Sequence, residues 1–192
     1  METYRLFIAA ELPGEVKAAL AAAQDRLRRG GPPVRWVAPA AMHLTLRFLG
    51  ETDAALLPSL KAALRDTLAT HHAIPLHLTA AGAFPSVGRP NVIWAGIGGA
   101  TTALARMAAE LDEAVAALGF PREPKPFRAH LTLGRVRREA SRELQERLGA
   151  AIRALPPLDP VEWTADRVVL FRSELRREGP EYTELDVVQL SQ

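Results

Sequence analysis

Cysteine is absent from this chain of 192 residues. The sequence therefore offers no disulfide framework, no thiolate nucleophile and no cysteine-ligated zinc site. Lysine is nearly absent too. Of the 24 basic residues, three are lysines and 21 are arginines. The planar guanidinium group suits phosphate, but codon usage in a G+C-rich genome is the simpler explanation of this excess.

Long apolar runs are also missing, and none could cross a bilayer. The first residues, Met1 to Arg5, lack the charged and apolar regions of a secretory leader. The net charge is only +2, which does not indicate a nucleic-acid coat, while 48% apolar residues can support a packed core. We expect a soluble cytoplasmic protein with no membrane partner. The sequence carries no signal for the oligomeric state, and a monomer is the expectation.

The sequence does contain a repeated tetrapeptide, His-Leu-Thr-Leu, at residues 43–46 and again at 130–133. The alternation predicts a β-strand in which histidine and threonine share one face and the two leucines share the other. Each copy therefore presents an imidazole beside a hydroxyl group. Two such strands facing each other across a groove would surround one anion such as a phosphate.

A third His-x-Thr triplet, His77-Leu78-Thr79, lacks the fourth leucine. With five histidines and eleven threonines in the chain, chance predicts only about 0.3 triplets. The third copy also lies outside the repeat described next, since the position 87 residues beyond His77 is Thr164.

The helix and strand patterns recur at one offset of 87 residues. Adding 87 leads from His43 to His130, and it also pairs Phe7 with Trp94, Leu20 with Met107, and Ala54 with Ser141. We infer an α+β fold made of duplicated lobes related by a pseudo-two-fold axis. Each lobe is a mostly antiparallel sheet flanked by helices, and a central groove holds the site. Residues 1–192 then form a single two-lobed domain, with repeats at about 4–85 and 91–176.

Helix and strand boundaries follow from capping and turn residues. Asp53, Ser141 and either Thr101 or Thr102 are predicted helix caps, Gly30 to Pro33 are predicted to end the first helix, and residues 176–180 to form a hairpin turn. Strands are predicted at 6–10, 34–37, 43–49, 74–81, 92–97, 130–136, 167–174 and 182–190, with a polar loop at 86–91.

Two imidazoles beside one phosphate can perform acid–base cleavage of a phosphodiester. The pKa of histidine lies near neutrality, so one ring can accept a proton while the other donates one. Threonine hydroxyls would hold the non-bridging oxygens, where charge develops. Each histidine alone would be read as an ordinary strand residue, but a matched pair at the repeat offset favours catalysis. The scheme needs no metal, and we expect no cofactor.

The pattern resembles the two-histidine (2H) phosphoesterases, and it is most similar to the RNA 2′,3′-cyclic phosphodiesterases, also called 2′-5′ RNA ligases or LigT-like proteins. The resemblance rests on residues 5–9, 12–13, 43–50, 84–85, 90–94, 127–135, 173–175 and 179–182. Ala129 is a departure, because relatives often have proline there.

The resemblance implies hydrolysis of an RNA or nucleoside 2′,3′-cyclic phosphate to a 2′-phosphate, without metal. It implies that His43 is the proton donor, that His130 is the proton acceptor, and that Thr45 and Thr132 bind the phosphate. The partner would be RNA with a 2′,3′-cyclic phosphate end, or a small cyclic nucleotide.

Two arginines are further candidates for substrate binding. Strand parity places Arg47 on the face of His43 and Thr45. Arg135 has the opposite parity to His130, but the family pattern has an arginine there, and a bulge near Gly134 would return it to the groove. Phe48 and Trp36 are candidates to stack a base, with buried packing the simpler interpretation for Phe48.

Two alternative functions stay open. The same site could run in reverse as a 2′-5′ RNA ligase, or the chain could be a module that binds RNA ends or nucleotides without catalysis. A dinucleotide site at Gly96-Ile97-Gly98-Gly99 is disfavoured, because the third glycine of the dinucleotide-binding fingerprint is missing.

Overall fold

The computed structural model describes residues 2–29, 34–176 and 179–192. The strands are β1 (Thr3–Ala10), β2 (Val34–Trp36), β3 (Leu44–Asp53), β4 (Ile74–Ser86), β5 (Arg89–Gly99), β6 (His130–Val136), β7 (Glu162–Ala165), β8 (Arg167–Arg176) and β9 (Gly179–Gln189). The helices are α1 (Gly14–Arg28), α2 (Leu57–Leu68), α3 (Thr101–Ala116) and α4 (Arg142–Ala154). Short 3-10 turns at Pro39–Ala41 and Ala54–Leu56 precede β3 and α2.

Of the three predicted helix caps, the one at Ser141 is confirmed, and Asp53 caps the 3-10 turn that leads into α2 rather than α2 itself. The Ser141 hydroxyl accepts a hydrogen bond from the Leu144 amide at 3.3 Å, and the Asp53 carboxylate accepts one from the Ala55 amide at 3.0 Å. The threonine cap is wrong, because Ala100 precedes the helix and caps it with no side-chain hydrogen bond. The Ala100 amide donates to the Pro75 carbonyl, and this bond fixes the chain one residue before Thr101.

The predicted end of α1 at Gly30 to Pro33 lies outside the described residues, as do two residues of the predicted hairpin turn at 176–180. The predicted loop at 86–91 is much shorter in the structure. Strands β4 and β5 continue until Ser86 pairs with Arg89, so Val87 and Gly88 form the whole turn. Strand β7 was not predicted from the sequence.

The strands form two sheets. The four-stranded sheet has the order β3-β1-β8-β9, and the five-stranded sheet has the order β2-β6-β5-β4-β7. Every pairing between these strands is antiparallel. The structure therefore confirms the expected α+β class with mostly antiparallel sheets.

The sheets do not coincide with the two halves of the chain. Strand β4, from the first half, pairs with β5 in the five-stranded sheet, and β8, from the second half, pairs with β1 in the four-stranded sheet. The two crossings correspond at the 87-residue offset, because Phe84 lies on β4 and Phe171 on β8. The repeat bounds stay a prediction, but each repeat would supply a strand to the sheet of the other.

One continuous hydrophobic core lies between the sheets and the helices, and it includes Leu6, Leu44, Ile93, Met107 and Leu131. Buried side chains of all four helices belong to this core, on the sheet face that carries Leu6 and Leu131. The opposite face, which we call the inner face, carries a small separate cluster on the four-stranded sheet, consisting of Phe7, Ala9, Val169 and Phe171. Among the described residues, no helix has the length and apolar character needed to span a bilayer.

Candidate active site

His43 immediately precedes β3 and lies on the inner face of the four-stranded sheet. Its ring stacks on Phe7 with 4.6 Å between ring centroids, and the ring of Tyr182 meets it edge-on at 5.2 Å. Phe171 lies beside both, at 5.1 Å from Phe7. We call Phe7, Phe171 and Tyr182 the Phe7 cluster. His43 therefore lies on an aromatic surface and is partly buried.

This environment favours the neutral form of His43. Desolvation by burial lowers its pKa from 6.5 to about 4, and the positive charge of Lys17 acts in the same direction. The Ala41 carbonyl opposes the shift. Nδ1 of His43 is nevertheless buried without a hydrogen bond of acceptable geometry within the described part of the chain. In the absence of a ligand, His43 is an uncharged imidazole at neutral pH.

His130 begins β6 in the five-stranded sheet, and its ring also lies on an aromatic pair. Phe84 meets it edge-on at 5.2 Å, and Trp94 lies 5.3 Å from Phe84. Nδ1 of His130 is 2.7 Å from the Arg128 carbonyl oxygen. Because a carbonyl only accepts, Nδ1 carries the hydrogen, and in the neutral ring Nε2 is left as the proton acceptor.

The two strands that carry the histidine motifs belong to different sheets but approach each other. Residues of β3 and β6 come within 8 Å of each other, measured between Cα atoms. Thr45 pairs with Ala9, and Thr132 pairs with Trp94, so both threonines share the inner faces with the aromatic residues. That the two imidazole–hydroxyl pairs, 87 residues apart in the sequence, face one phosphate stays a prediction.

Both histidine strands contain a bulge at the same repeat position. In β3, Arg47 pairs with Ile8 and Thr45 with Ala9, so that Leu46 is an extra residue. In β6, Gly134 pairs with Ile93 and Thr132 with Trp94, so that Leu133 is extra. Each bulge reverses the side-chain parity beyond it.

The bulge in β6 places Arg135 on the inner face, as the family pattern required. Arg135 pairs with Val92, two residues from Trp94, and its side chain is exposed. Arg135 therefore shares the face of Trp94, and the extra residue is Leu133 rather than Gly134. Its part in substrate binding stays a prediction. Gly134 faces the core instead, where an added Cβ would lie 2.6 Å from Cγ1 of Val34.

The corresponding bulge in β3 makes the predicted position of Arg47 wrong. Arg47 pairs with Ile8 of the core and points away from His43. Its side chain is only 5% exposed and forms ion pairs with Asp112 at 2.7 Å and Glu123 at 2.9 Å. It also donates hydrogen bonds to the carbonyls of Phe48 and Pro121. Arg47 holds β3 against α3 and the segment that follows it, and it does not face the groove.

Phe48 takes the inner-face position that parity had given to Arg47. It pairs with Phe7 at 6.2 Å between ring centroids, and it is 55% exposed. Its expected burial is therefore wrong. Trp36 lies on the opposite face of its sheet, where it pairs with Gly134 and contacts the guanidinium of Arg28 at 5.4 Å, so it does not line the groove.

The third triplet lies on the same face of the five-stranded sheet as His130, but two strands away, on β4. The His77 ring lies over Gly98, where an added Cβ would be 2.3 Å from its Nε2 atom, and His77 pairs with Glu162 on the other side. It is not part of the paired motif. Within residues 2–29, 34–176 and 179–192, no group of three or more histidine or acidic side chains is placed to hold a metal ion.

Sequence reasoning missed the aromatic residues beneath the histidines. Phe7 and Trp94 correspond at the 87-residue offset, and so do Phe84 and Phe171. The sequence analysis paired Phe7 with Trp94 but did not place either ring beneath a histidine, and the same offset could have identified the pair of Phe84 and Phe171. The strand exchange that brings Phe171 beside Phe7 could not be read from it.

Comparison with known proteins agrees with this geometry. The family model of the 2′-5′ RNA ligase superfamily matches residues 12–177. An RNA 2′,3′-cyclic phosphodiesterase of Thermus thermophilus is 36% identical over 97% of this chain and 90% of its own length. One of Methanothermobacter thermautotrophicus is 30% identical over 97% and 98% of the two chains.

Solved structures share the fold. A Thermus thermophilus crystal structure superposes with a TM-score of 0.80 at 34% identity, covering 97% of both chains. Escherichia coli LigT in complex with 3′-AMP gives 0.78 at 26% identity, with both chains covered completely. The same LigT has been crystallised with phosphate, and that structure gives a TM-score of 0.75.

Proposed function

Because the chain belongs to the 2′-5′ RNA ligase superfamily, we propose that it hydrolyses RNA or nucleoside 2′,3′-cyclic phosphate ends to 2′-phosphates by paired histidine acid–base catalysis. The observation that supports the proposal is that β3, which follows His43 directly, and β6, which begins at His130, come within 8 Å of each other between Cα atoms. The names of the relatives and the phosphate and 3′-AMP complexes of LigT support the same substrate class.

His130 is the proposed proton acceptor. With Nδ1–H donated to the Arg128 carbonyl at 2.7 Å, Nε2 accepts a proton from water as the water oxygen bonds to phosphorus. The bond from phosphorus to the 3′-oxygen breaks, and His43 donates its proton to that oxygen. The product is a 2′-phosphomonoester with a free 3′-hydroxyl, and the two imidazoles have exchanged their protonation states.

The remaining inner-face residues bind the substrate. Thr45 and Thr132 would donate hydroxyl hydrogen bonds to the non-bridging oxygens, where charge builds up in the transition state. Arg135 would pair with the phosphate, and the exposed ring of Phe48 offers a surface for the base. Arg47 is no longer included, because its guanidinium is engaged with Asp112 and Glu123.

Phosphorus NMR of a short RNA with a 2′,3′-cyclic phosphate end tests this function in the presence of a chelator. We expect the wild-type protein to convert the substrate to the 2′-phosphate. His43→Ala and His130→Ala should lose this activity, and the matched variant His77→Ala should keep it. Binding without turnover would favour the non-catalytic module. A linear 2′-5′ product on addition of a 5′-hydroxyl RNA would favour the ligase, and activity that depends on His77 would refute the site.

A further inference from the structure

The two histidine motifs are identical in sequence, but their aromatic surroundings are not. His43 lies face-on to Phe7 and edge-on to Tyr182. Of the aromatic pair beside His130, Phe84 and Trp94, Phe84 makes an edge contact with the His130 ring. The pairs Phe7–Phe171 and Trp94–Phe84 occupy equivalent positions at the repeat offset, but Tyr182 of β9 has no counterpart. The five-stranded sheet ends in β7 on one side and β2 on the other.

The hydrogen-bonding of the two rings differs in the same way. Both Nδ1 atoms lie near the carbonyl two residues earlier, Ala41 for His43 and Arg128 for His130. Only the second contact is a well-formed hydrogen bond, at 2.7 Å. Nδ1 of His43 is buried and forms no such hydrogen bond within the described residues, so the Ala41 carbonyl stabilises a charged ring less than a well-formed bond would.

We propose that Phe7, Phe171 and Tyr182 are positioning residues that keep His43 uncharged until an anionic phosphate binds beside it, so that the proton donor is assembled by the substrate. This inference rests on the proposed function. It explains why two histidines in identical sequence motifs would have different proton affinities, and it gives the Phe7 cluster as the cause.

The charges around His43 fit this role. Lys17 repels a proton on the ring, and desolvation is the larger effect that lowers the His43 pKa. Burial raises the pKa of Tyr182 and outweighs the charge of Arg5, which lowers it. Tyr182 therefore stays neutral and adds no negative charge. No carboxylate contributes to the His43 shift. A phosphate would therefore supply the negative charge that an imidazolium needs.

The coupling has a chemical consequence. Water attack requires His130 to be neutral, and departure of the 3′-oxygen requires His43 to be protonated. If His43 takes up its proton only with the phosphate, the free protein lacks the imidazolium that must act as the proton donor. In the complex, the phosphate then leaves His43 protonated, and His43 is the ring that must donate a proton.

NMR titration of ¹³C-labelled histidine tests the proposal without turnover, with sulfate as the probe because sulfate does not titrate near neutral pH. In the free wild-type protein, we expect the His43 signal to titrate near the pKa of about 4. Sulfate should raise this midpoint by about one unit or more. Phe7→Leu should raise the midpoint of the free protein toward 6.5, the ordinary histidine pKa, and reduce the sulfate effect.

Tyr182→Leu is the second variant, because Tyr182 is only partly buried and its loss threatens folding less than the loss of Phe7. It should shift the His43 titration in the same direction, while Tyr182→Phe, which keeps the ring, should restore the wild-type value. Phe84→Leu is the matched control and should leave the His43 titration unchanged.

Two results would overturn the proposal. One is a His43 midpoint near 6.5 in the free wild-type protein. The other is an unchanged His43 titration in folded Phe7→Leu and Tyr182→Leu. No step of this experiment requires hydrolysis, so the two proposals can fail independently. Absence of cyclic phosphodiesterase activity would refute the proposed function, while the His43 titration alone would decide the role of the Phe7 cluster.

Discussion

Replacing Arg47 by methionine should damage stability far more than catalysis. The guanidinium is 5% exposed and pairs with Asp112, whose side chain is 16% exposed, and with Glu123, which is 40% exposed. Methionine fills similar space but leaves the Asp112 carboxylate poorly solvated and without an ion-pair partner, although the Glu123 amide still donates a hydrogen bond to it at 3.1 Å. Removal of one partner of a buried ion pair typically costs about 3–5 kcal/mol.

We expect the lower end of that range, because Glu123 can turn to solvent. For a chain of this size, a loss of about 3 kcal/mol corresponds to a fall in Tm of about 6–12 °C. Calorimetry of the purified Arg47→Met protein measures this directly. The double variant Arg47→Met/Asp112→Asn should recover part of the loss, because it removes the unpaired carboxylate.

Arg135→Met is the matched control, since Arg135 follows the equivalent bulge but lies on the inner face and is exposed. Its unfolding free energy should change by no more than about 0.5 kcal/mol, while kcat/KM should fall about 10²-fold through the lost phosphate contact. The reasoning is refuted if Arg47→Met keeps the wild-type Tm and raises KM, because Arg47 would then reach the substrate.

Three further predictions follow from the site and its supports. His43→Ala and His130→Ala should each reduce kcat about 10²–10⁴-fold in a cyclic-phosphate assay, and wild-type rates in either variant would count against paired catalysis. Because the pKa of His43 falls to about 4 on folding, the unfolded chain binds more protons between about pH 4 and 6.5. Stability should therefore decline as the pH falls through that window, and His43→Gln should flatten the decline in thermal melts. Gly134→Ala should destabilise the protein by about 1–3 kcal/mol in denaturant unfolding, because the added Cβ would lie 2.6 Å from Val34 and 3.0 Å from Trp36. An unchanged unfolding midpoint would show that β2 moves to relieve these contacts at little cost.

The sequence predicted most of the helices and strands because each carries a local signal. Leucines at helical spacing fix the buried stripes of α2 and α3, and the glycines and prolines between elements mark their ends. The side-chain cap at Ser141 is local in the same sense and was predicted correctly, and Asp53 caps the 3-10 turn before α2. The threonine cap failed because the bond from Ala100 to Pro75 is a long-range contact that no local pattern reveals.

Strand parity predicted the site only as far as the bulges. His43 with Thr45, and His130 with Thr132, precede the extra leucines, so simple alternation places them correctly. Beyond each bulge the rule inverts, and it therefore misplaced Arg47 and Phe48. A bulge depends on pairing with a neighbouring strand, and its effect on Arg135 was anticipated only through the family resemblance.

The crossing of β4 and β8 between sheets was likewise beyond local reasoning. A strand exchanged between repeats has the same alternation as one that stays in its own repeat. Only the paired register, Phe171 opposite Phe7 and Trp94 opposite Gly82, shows where the strands lie. The crossing itself is symmetric, because it brings Phe84 to His130 just as it brings Phe171 to His43. The asymmetry between the two histidines arises from Tyr182 of β9, which lies against His43 and has no counterpart at His130.

A crystal structure of the protein with a nucleoside–vanadate complex tests the central claim most directly, because vanadate imitates the five-coordinate phosphorus of the transition state. The account predicts that Nε2 of His43 and Nε2 of His130 each lie about 3 Å from apical oxygens on opposite sides of one vanadium atom, with Arg135 beside the equatorial oxygens. A vanadate contacted by only one of the two histidines, or bound beside His77 instead, would contradict it.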